Sequence, residues 1–352
     1  MFDHRATIVI SLSLLFYFLW MDVALFYHVH EQRPRTTPSS DATPPSSSIP
    51  SATQLISPFT GLSVKMMMMD PVNNYIFTPA AHIFNEVTNF SHVFYFVTPN
   101  MVSFLGLMFA LGAGKCMAMD SRPFHLLALF LFQMRTFFDA LDGIVARTRM
   151  GMIQHVSLRN TSGYVVDGVA DAIGFAAFLI GCFQVLRSSM AKHKYYLPVS
   201  AHEVCRECKE GVALPVLSSN CTSVPATNGG AGQRRVFLVV LCFGLQLAVG
   251  AFFWDHYINA YHNLLESSAP TDAQTIAQSE VLKSSITWVL MWFWRMSNAH
   301  TFIQMLLFAI YINKMWEFLC WIQFVGFVQV FTLAFFTEMH LCTVRGYILS
   351  LS

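Results

Sequence analysis

The chain has 352 residues, of which 55% are hydrophobic and 12% charged, and its mean hydropathy is +0.49. This composition excludes an ordinary soluble protein and is typical of an all-α polytopic membrane protein. The net charge is +1 and the basic residues are dispersed, which argues against the concentrated positive field that nucleic-acid binding requires.

The first segment of the chain is apolar. Residues 6–27 are interrupted only by Asp22 and are about long enough to cross a bilayer. A cleaved signal peptide is the alternative, but the run is long for one and no small-residue cleavage site is evident before His28. We therefore interpret residues 1–27 as a transmembrane anchor. Residues 28–63 are rich in Pro, Ser and Thr, which predicts a disordered tether.

Residues 64–352 form the predicted membrane domain. Residues 64–89 suit a helix at the interface, with Met66 to Met69 as a packing or interfacial feature. Polar intervals at residues 188–235 and 255–283 separate the later apolar stretches. The apolar stretch at residues 284–313 is long enough to contain an interfacial segment before its span. The pattern predicts a six-span helical bundle, with spans at residues 101–114, 123–145, 163–186, 236–254, 284–313 and 316–337.

Four carboxylates lie where the second and third of these spans adjoin. Asp139 and Asp142 are three positions apart and Asp167 and Asp171 are four apart, so each pair projects from one face of a helix. An Asp at the centre of a span costs roughly 2.5 to 3.5 kcal/mol, so such a cluster needs compensation. Carboxylates without neighbouring Cys or His ligands favour Mg²⁺ or Mn²⁺, and paired ions are typical of phosphoryl chemistry.

A structural role is the alternative for these carboxylates. They could cap helix ends or pair with three nearby arginines, Arg135, Arg147 and Arg149. Capping would not require two Asp pairs with small residues beside them, namely Gly143, Ala146 and Gly163. The pattern therefore favours a metal site.

The spacing resembles a known family. Asp139-x-x-Asp142-Gly143-x-x-Ala146-Arg147, followed by Gly163-x-x-x-Asp167-x-x-x-Asp171, is similar to the signature of the CDP-alcohol phosphotransferases. These enzymes couple a CDP-activated alcohol to an acceptor alcohol and release CMP. The segment that connects the two parts of this motif, residues 148–162 (the joint), is longer than in the usual family pattern. This joint and the overall layout resemble the insect-type ceramide phosphoethanolamine synthases more than the common choline or ethanolamine phosphotransferases.

The resemblance implies roles for individual residues. Asp139, Asp142, Asp167 and Asp171 would hold two Mn²⁺ or Mg²⁺ ions, and Asp171 would also be the general base. The resemblance assigns binding of the CDP-alcohol to five other residues: Asn100, Gly143, Ala146, Arg147 and Gly163. On physical grounds alone, Asn100 after Pro99 is equally well an ordinary helix cap.

The implied reaction transfers phosphoethanolamine from CDP-ethanolamine to the primary hydroxyl of ceramide in the bilayer. One alternative is an ethanolamine or choline phosphotransferase that acts on diacylglycerol. A more remote alternative is a divalent-cation transporter, because carboxylates within membranes often mark ion pathways. Arg147 argues against transport, because a cation path gains nothing from an arginine. Family members are commonly dimers, so a homodimer is compatible with the resemblance.

Two further groups of residues are candidates for a role. Cys205, Cys208 and Cys221 have the residue types of a structural Zn²⁺ site, with His202 close by, and a disulfide or free thiols are the alternatives. Polar residues in or beside the last spans could line a path for the acceptor, although an interfacial histidine is more often structural; they are His256, His262, Arg295, Asn298 and His300.

Charge also predicts the side on which the chemistry occurs. Residues 187–235, on the side opposite the carboxylates, include seven of the 21 Lys and Arg residues, and such an excess in one loop favours the cytoplasm. Lys115 and Arg122 fall on the same side. The carboxylates would then face a lumen, which agrees with the Golgi membrane that the resemblance implies.

Overall fold

The computed structural model describes residues 4–31, 64–150, 162–207, 229–267 and 271–350, and every regular element in these ranges is helical. The all-α prediction is confirmed for this part of the chain. The helices, in chain order, are α1 (His4–Glu31), α2 (Val64–Met68), a π-helical turn (Asn73–Phe77), α3 (Thr78–Thr88), α4 (Phe90–Val93), α5 (Pro99–Met117), α6 (Arg122–Arg149), α7 (Ser162–Glu207), α8 (Gly229–Leu265), α9 (Asp272–Lys283), α10 (Ser285–Ser297), α11 (Ala299–Tyr311) and α12 (Met315–Leu349).

Six of the described helices, α1, α5, α6, α7, α8 and α12, are long and apolar enough to cross a membrane. The prediction of a polytopic membrane protein is confirmed. The helices extend further than predicted: α7 continues to Glu207 and α8 to Leu265, well into intervals that we interpreted as polar connections. Polar residues alone do not end a helix, because many of them, such as Lys, Arg, Gln and Glu, have good helix propensity.

The predicted span at residues 284–313 consists of two helices of 13 residues each, α10 and α11. Asn298 separates them in an extended conformation (φ −82°, ψ 163°), and its side chain accepts a hydrogen bond from Thr301 N as the α11 cap. At 1.5 Å per residue, each helix is about 20 Å long, shorter than the ~30 Å hydrocarbon core. Asn298 therefore has a structural role at this break rather than a place on an acceptor path.

Helices α5, α6 and α7 pack closely because small residues lie where they cross. A Cβ atom added at Gly114 would lie 2.5 Å from the Ala177 carbonyl oxygen, and one added at Gly174 would lie 2.9 Å from Ala110 Cβ. Gly181 approaches the Gly114 carbonyl even more closely. Small residues of this kind let the backbones of membrane helices approach one another.

The remaining helices form a second layer beside these three. Helices α8, α10, α11 and α12 enclose the main apolar core, which includes buried Trp294, Phe243 and Phe302. At one end of the bundle, Arg122 at the start of α6 donates hydrogen bonds to the carbonyl oxygens of Ile310 (3.1 Å) and Tyr311 at the end of α11. The two layers are therefore joined by polar contacts as well as by packing.

Helix α1 contacts the membrane domain along one face. Leu25 and Val29 are fully buried, whereas most of the other apolar residues in α1 are exposed. Asp22, which interrupts the apolar run, is also buried and forms an ion pair with Arg295 of α10. The predicted anchor thus extends beyond residue 27 to Glu31 and packs against the domain. The tether at residues 32–63 lies outside the described residues.

The segment before α5 differs from the single interfacial helix that we predicted. It contains α2, the π-helical turn, α3 and α4 as separate short helices. Met66, Met67 and Met68 are at most 3% exposed, so the packing role proposed for the methionine run is confirmed for these three residues.

Candidate active site

The end of α6 and the beginning of α7 bring the four aspartates together. Ligand atoms of Asp139, Asp142 and Asp167 all lie within 4.8 Å of one another. The same is true of Asp139, Asp171 and His300. Asp139 belongs to both groups, so the described residues contain two adjoining sets of ligands that share one carboxylate.

The aspartates line a cavity between three helices. Its walls come from the middle of α5, the second half of α6 and the start of α7. The lining residues are Ser103, Gly106, Leu107, Arg135, Asp139, Asp142, Asp167, Ala170 and Asp171. A cavity with this lining offers carboxylate oxygens to a cation and a guanidinium to an anion.

Asp142 is the most deeply buried of the four aspartates, with 6% of its surface exposed. The Ser103 hydroxyl donates a hydrogen bond to its Oδ2 atom. Ser103 lies on α5, outside the sequence pattern that drew attention to the carboxylates. The hydrogen bond restrains the orientation of the Asp142 carboxylate.

Asp171 has a different environment. Arg135, which is 3% exposed, donates a hydrogen bond to Asp171 Oδ1, while His300 Nε2 lies 3.9 Å from Asp171 Oδ2. The arginine-pairing alternative therefore applies to Asp171. Arg149, in contrast, donates its hydrogen bonds to the backbone carbonyl oxygens of Ser91 (3.3 Å) and Phe94 (3.0 Å).

The Arg147 guanidinium packs against Gly143, one helical turn earlier in α6. A Cβ atom at Gly143 would be 3.0 Å from Arg147 Nη2, so the missing side chain makes room for the guanidinium. Ala146 and Arg147 are both half-buried. The space beside Gly143, a position that the resemblance assigns to CDP-alcohol binding, is therefore occupied in part by Arg147.

Asn100 and Gly163 are not among the residues that line the cavity. Asn100 is exposed in the first turn of α5, and Thr98 is the cap of this helix, accepting a hydrogen bond from Met101 N (3.3 Å). The cap interpretation of Asn100 is wrong for this reason. Gly163 is half-buried at the start of α7.

The polar candidates in the last spans have different roles. Arg295 is fully buried in its ion pair with Asp22, while His262 contacts Glu266 and His256 packs against the Tyr257 ring (4.9 Å). Only His300 of these candidates belongs to a carboxylate group. Its position follows from the Asn298 cap, which starts α11 two residues before it.

Lys65 is a site residue that the sequence did not indicate. It lies on α2, partly buried, and interacts electrostatically with Asp139, Asp142, Asp167 and Arg147. Burial, with a smaller contribution from Arg147, lowers the pKa of its ammonium to about 8 against the opposing effect of the three aspartates. No sequence signal pointed to Lys65, because it stands alone among methionines far from the aspartate pattern.

The candidate zinc site lies largely outside the described residues. Cys208 and Cys221 lie outside the described residues, and the structure describes only the backbone of His202 and Cys205, near the end of α7. Metal binding at these cysteines stays a prediction. The long joint at residues 148–162 also falls almost entirely outside the described residues.

Comparison with known proteins identifies the family. The family model described as "Ceramide phosphoethanolamine synthase" matches residues 5–351, almost the whole chain. The chain belongs to the ceramide phosphoethanolamine synthase family. A curated ceramide phosphoethanolamine synthase from Drosophila melanogaster is 35% identical over 294 residues, which cover 83% of this chain and 71% of the relative. No solved structure matches the chain.

Membership in the ceramide phosphoethanolamine synthase family makes the chain an enzyme, and its membrane helices suit a lipid-transferring one. The narrower resemblance predicted from the sequence is confirmed. The carboxylate cluster is thus the candidate active site of a membrane-embedded transferase.

Proposed function

We propose that the enzyme transfers phosphoethanolamine from CDP-ethanolamine to the primary hydroxyl of ceramide, giving ceramide phosphoethanolamine and CMP. The observation that carries this proposal is the pair of ligand groups that share Asp139. Family membership supports the lipid product, and the sequence resemblance to CDP-alcohol phosphotransferases supports the nucleotide donor.

The residues present fit two divalent ions. Asp139, Asp142 and Asp167 would hold one ion, and Asp139, Asp171 and His300 the other. Carboxylate oxygens suit Mg²⁺ or Mn²⁺, and an imidazole nitrogen in the second group favours Mn²⁺ over Mg²⁺. When bound, such ions neutralise the diphosphate and stabilise the departing CMP.

Two arginine side chains, Arg135 and Arg147, would supply further contacts to the phosphate groups. The Arg135 Nη1 atom is buried at the cavity without a hydrogen-bond partner among the described residues, whereas the other terminal nitrogen donates to Asp171. A buried unpaired donor is costly, and a phosphate oxygen would satisfy it. Arg147 offers a planar, bidentate grip beside Gly143, which a lysine could not copy.

Asp171 is the proposed general base. Arg135 fixes its Oδ1 atom, which leaves Oδ2 directed toward His300. The acceptor hydroxyl is neutral and a poor nucleophile, so a carboxylate within hydrogen-bond reach would assist by taking its proton. As Asp171 takes this proton, the ceramide oxygen would bond to the phosphorus of the phosphoethanolamine group, and the bond from that phosphorus to the CMP oxygen would break.

The position of the cluster suits one polar and one membrane-dissolved substrate. The aspartates lie toward the end of α6 and the start of α7, whereas Lys115 and Arg122 lie at the opposite ends of α5 and α6. The basic end favours the cytoplasm. We therefore place the active site at the luminal face of the Golgi membrane, with ceramide entering from the bilayer.

Release of CMP is the decisive experiment. Purified enzyme in lipid nanodiscs would be mixed with CDP-ethanolamine or CDP-choline, each with ceramide or diacylglycerol, in the presence of Mn²⁺ or Mg²⁺. The proposal expects CMP from the CDP-ethanolamine and ceramide pair. CMP with diacylglycerol instead would indicate a glycerolipid phosphotransferase. Absence of CMP in every mixture, with Mn²⁺ uptake into sealed vesicles, would favour cation transport.

Orientation and assembly need separate tests. In sealed Golgi vesicles, a tag inserted within residues 208–228 should be accessible to protease, and protection of that tag would reverse the proposed topology. We also propose a homodimer, on the family resemblance alone, and mass measurement of the nanodisc-embedded enzyme tests it. Metal analysis of protein with Cys208→Ser tests the proposed zinc.

A further inference from the structure

Helix α2 is held in place by hydrogen bonds from three other parts of the structure. The Val64 backbone N–H donates to Glu266 Oε1 (2.7 Å), and Trp254 Nε1 donates to the Met68 carbonyl oxygen (2.8 Å). Arg295 Nη2 donates to the Met66 carbonyl oxygen (3.0 Å). The two residues that flank Lys65 in the chain therefore both have fixed backbone positions.

Burial adds to this restraint. Val64, Met66, Met67 and Met68 are all at most 3% exposed, so Lys65 is the only residue of α2 that is not fully buried. The short helix cannot turn about its axis without exposing these apolar side chains. The fold therefore determines the direction in which Lys65 extends.

Lys65 extends into the electrostatic field of the active site. Asp139, Asp142 and Asp167, which form one ligand group, and Arg147 all act on its ammonium. A lysine that served only to neutralise these carboxylates would compete with the divalent ions that the site is built to hold. Once ions compensate the carboxylates, the natural partner of the lysine charge is the anionic substrate.

We propose that Lys65 binds the diphosphate of the CDP-alcohol, and that Glu266 and Arg295 are positioning residues that hold α2 for this purpose. The inference rests on the proposed donor. The proposal adds Lys65 to the aspartates and Arg147 as a residue of the active site, although Lys65 comes from α2, far before them in the chain. Because Asp22 pairs with the same Arg295 guanidinium, α1 also supports the position of Lys65.

Binding of CDP-ethanolamine to the Lys65→Gln variant tests the proposal. Titration calorimetry would be performed in nanodiscs without ceramide, with Mn²⁺ present, alongside a separate Mn²⁺ titration. A hydrogen bond to a charged group contributes about 1.5–3 kcal/mol, so we expect the dissociation constant to rise at least about tenfold. Mn²⁺ binding should stay unchanged, and Lys65→Arg should restore part of the affinity.

Two substitutions of Glu266 test whether this residue positions α2. Glu266→Gln keeps a carbonyl oxygen that can accept from the Val64 N–H, whereas Glu266→Ala removes the acceptor. Glu266→Ala should weaken CDP-ethanolamine binding, whereas Glu266→Gln should not. In the Lys65→Gln background, Glu266→Ala should have little further effect, because both changes act through the same contact. A purely structural role for Glu266 would weaken binding equally in both backgrounds and would overturn the positioning part.

The matched control is Lys115→Gln, a substitution of an exposed lysine on α5. Equal CDP-ethanolamine affinity in the Lys65→Gln, Lys115→Gln and wild-type proteins would overturn the proposal for Lys65 while leaving the proposed function intact. Loss of Mn²⁺ binding in Lys65→Gln would also overturn it, because the lysine would then act on the carboxylates. A wild-type enzyme that binds no CDP-alcohol would overturn both proposals.

Discussion

Asp22 of α1 and Arg295 of α10 form a buried ion pair although 273 positions separate them in the chain. Their side chains are 8% and 1% exposed, and the Tyr75 hydroxyl (2.6 Å) and Trp292 Nε1 (2.8 Å) also donate to Asp22. The N-terminal helix is therefore part of the membrane domain. A simple anchor that only retained the protein in the membrane would not require a charged group inside its span.

We expect Asp22→Asn to destabilise the protein strongly, because it leaves the buried Arg295 charge without a counter-charge. Removal of one partner of a buried ion pair costs about 3–5 kcal/mol. Thermal unfolding in nanodiscs would measure the loss. Glu86→Gln, which removes an exposed carboxylate, is the control. Equal stability of the Asp22→Asn and control proteins would mean that the ion pair with Arg295 contributes nothing to the stability of the domain.

His300 provides a second prediction. His300→Ala should remove a ligand from the group formed with Asp139 and Asp171, so the number of bound Mn²⁺ ions should fall from about two to about one. Electron paramagnetic resonance would count the ions and would detect loss of a nitrogen ligand. His92→Ala, an exposed substitution on α4, should bind as many ions as the wild-type protein. Two ions and unchanged spectra in His300→Ala would remove His300 from the ligand set.

The environments of Asp171 and Asp142 predict different defects. Asp171→Asn keeps an oxygen that can accept from Arg135 but can no longer take a proton, so CMP release should fall by about 10²-fold or more. Much of the CDP-ethanolamine binding should remain. Asp142→Asn removes a charge from the group with Asp139 and Asp167, so it should weaken metal-dependent binding as well.

Parallel measurements of CMP release and CDP-ethanolamine affinity distinguish these two defects. Ser103→Ala is a useful companion to Asp142→Asn, because it removes the hydrogen bond to Asp142 while keeping the carboxylate charge. Its defect should be smaller than that of Asp142→Asn. Full turnover by Asp171→Asn would exclude Asp171 as the general base.

The sequence predicted the parts of this fold that depend on local patterns. Apolar length identified the spans, and the spacing of Asp139, Asp142, Asp167 and Asp171 placed each pair on one helix face. It did not predict the break at Asn298, although Asn is a favoured N-cap residue. Apolar residues continue on both sides of the break and suggested one span, and Asn298 was interpreted with Arg295 and His300 as lining for an acceptor path.

Contacts between distant segments also escaped prediction. Lys65 and Ser103 approach the aspartates only after several helices have packed, so no spacing in the sequence records their proximity. Arg135 was a candidate partner from the sequence, but its pairing with Asp171 of the next helix required the structure. Asp22 was visible as an interruption of the first span, and Arg295 as a charge in a later one. Their pairing became clear only from the tertiary structure, because either charge alone could have had many partners.

The crossing of α5 and α7 leads to the last prediction. An added Cβ atom at Gly181 would collide with the Gly114 carbonyl oxygen and lie 3.0 Å from Met117 Cβ. Gly181→Ala should therefore push the helices apart and destabilise the protein by about 1–3 kcal/mol, the usual cost of overpacking. Because α5 and α7 both line the cavity, Mn²⁺ affinity should fall together with the unfolding temperature.

Gly232→Ala is the matched control, because nothing lies within 4 Å of a Cβ atom at that position in α8. Alanine favours a helix by about 0.5–1 kcal/mol relative to glycine, so this variant should be as stable as the wild-type protein or slightly more stable. Gly181→Ala gains the same helix preference, and any loss of stability must therefore come from the crossing. If both variants unfold at the wild-type temperature, α5 and α7 do not require glycine at their contact, and the aspartates of α7 are positioned by other contacts.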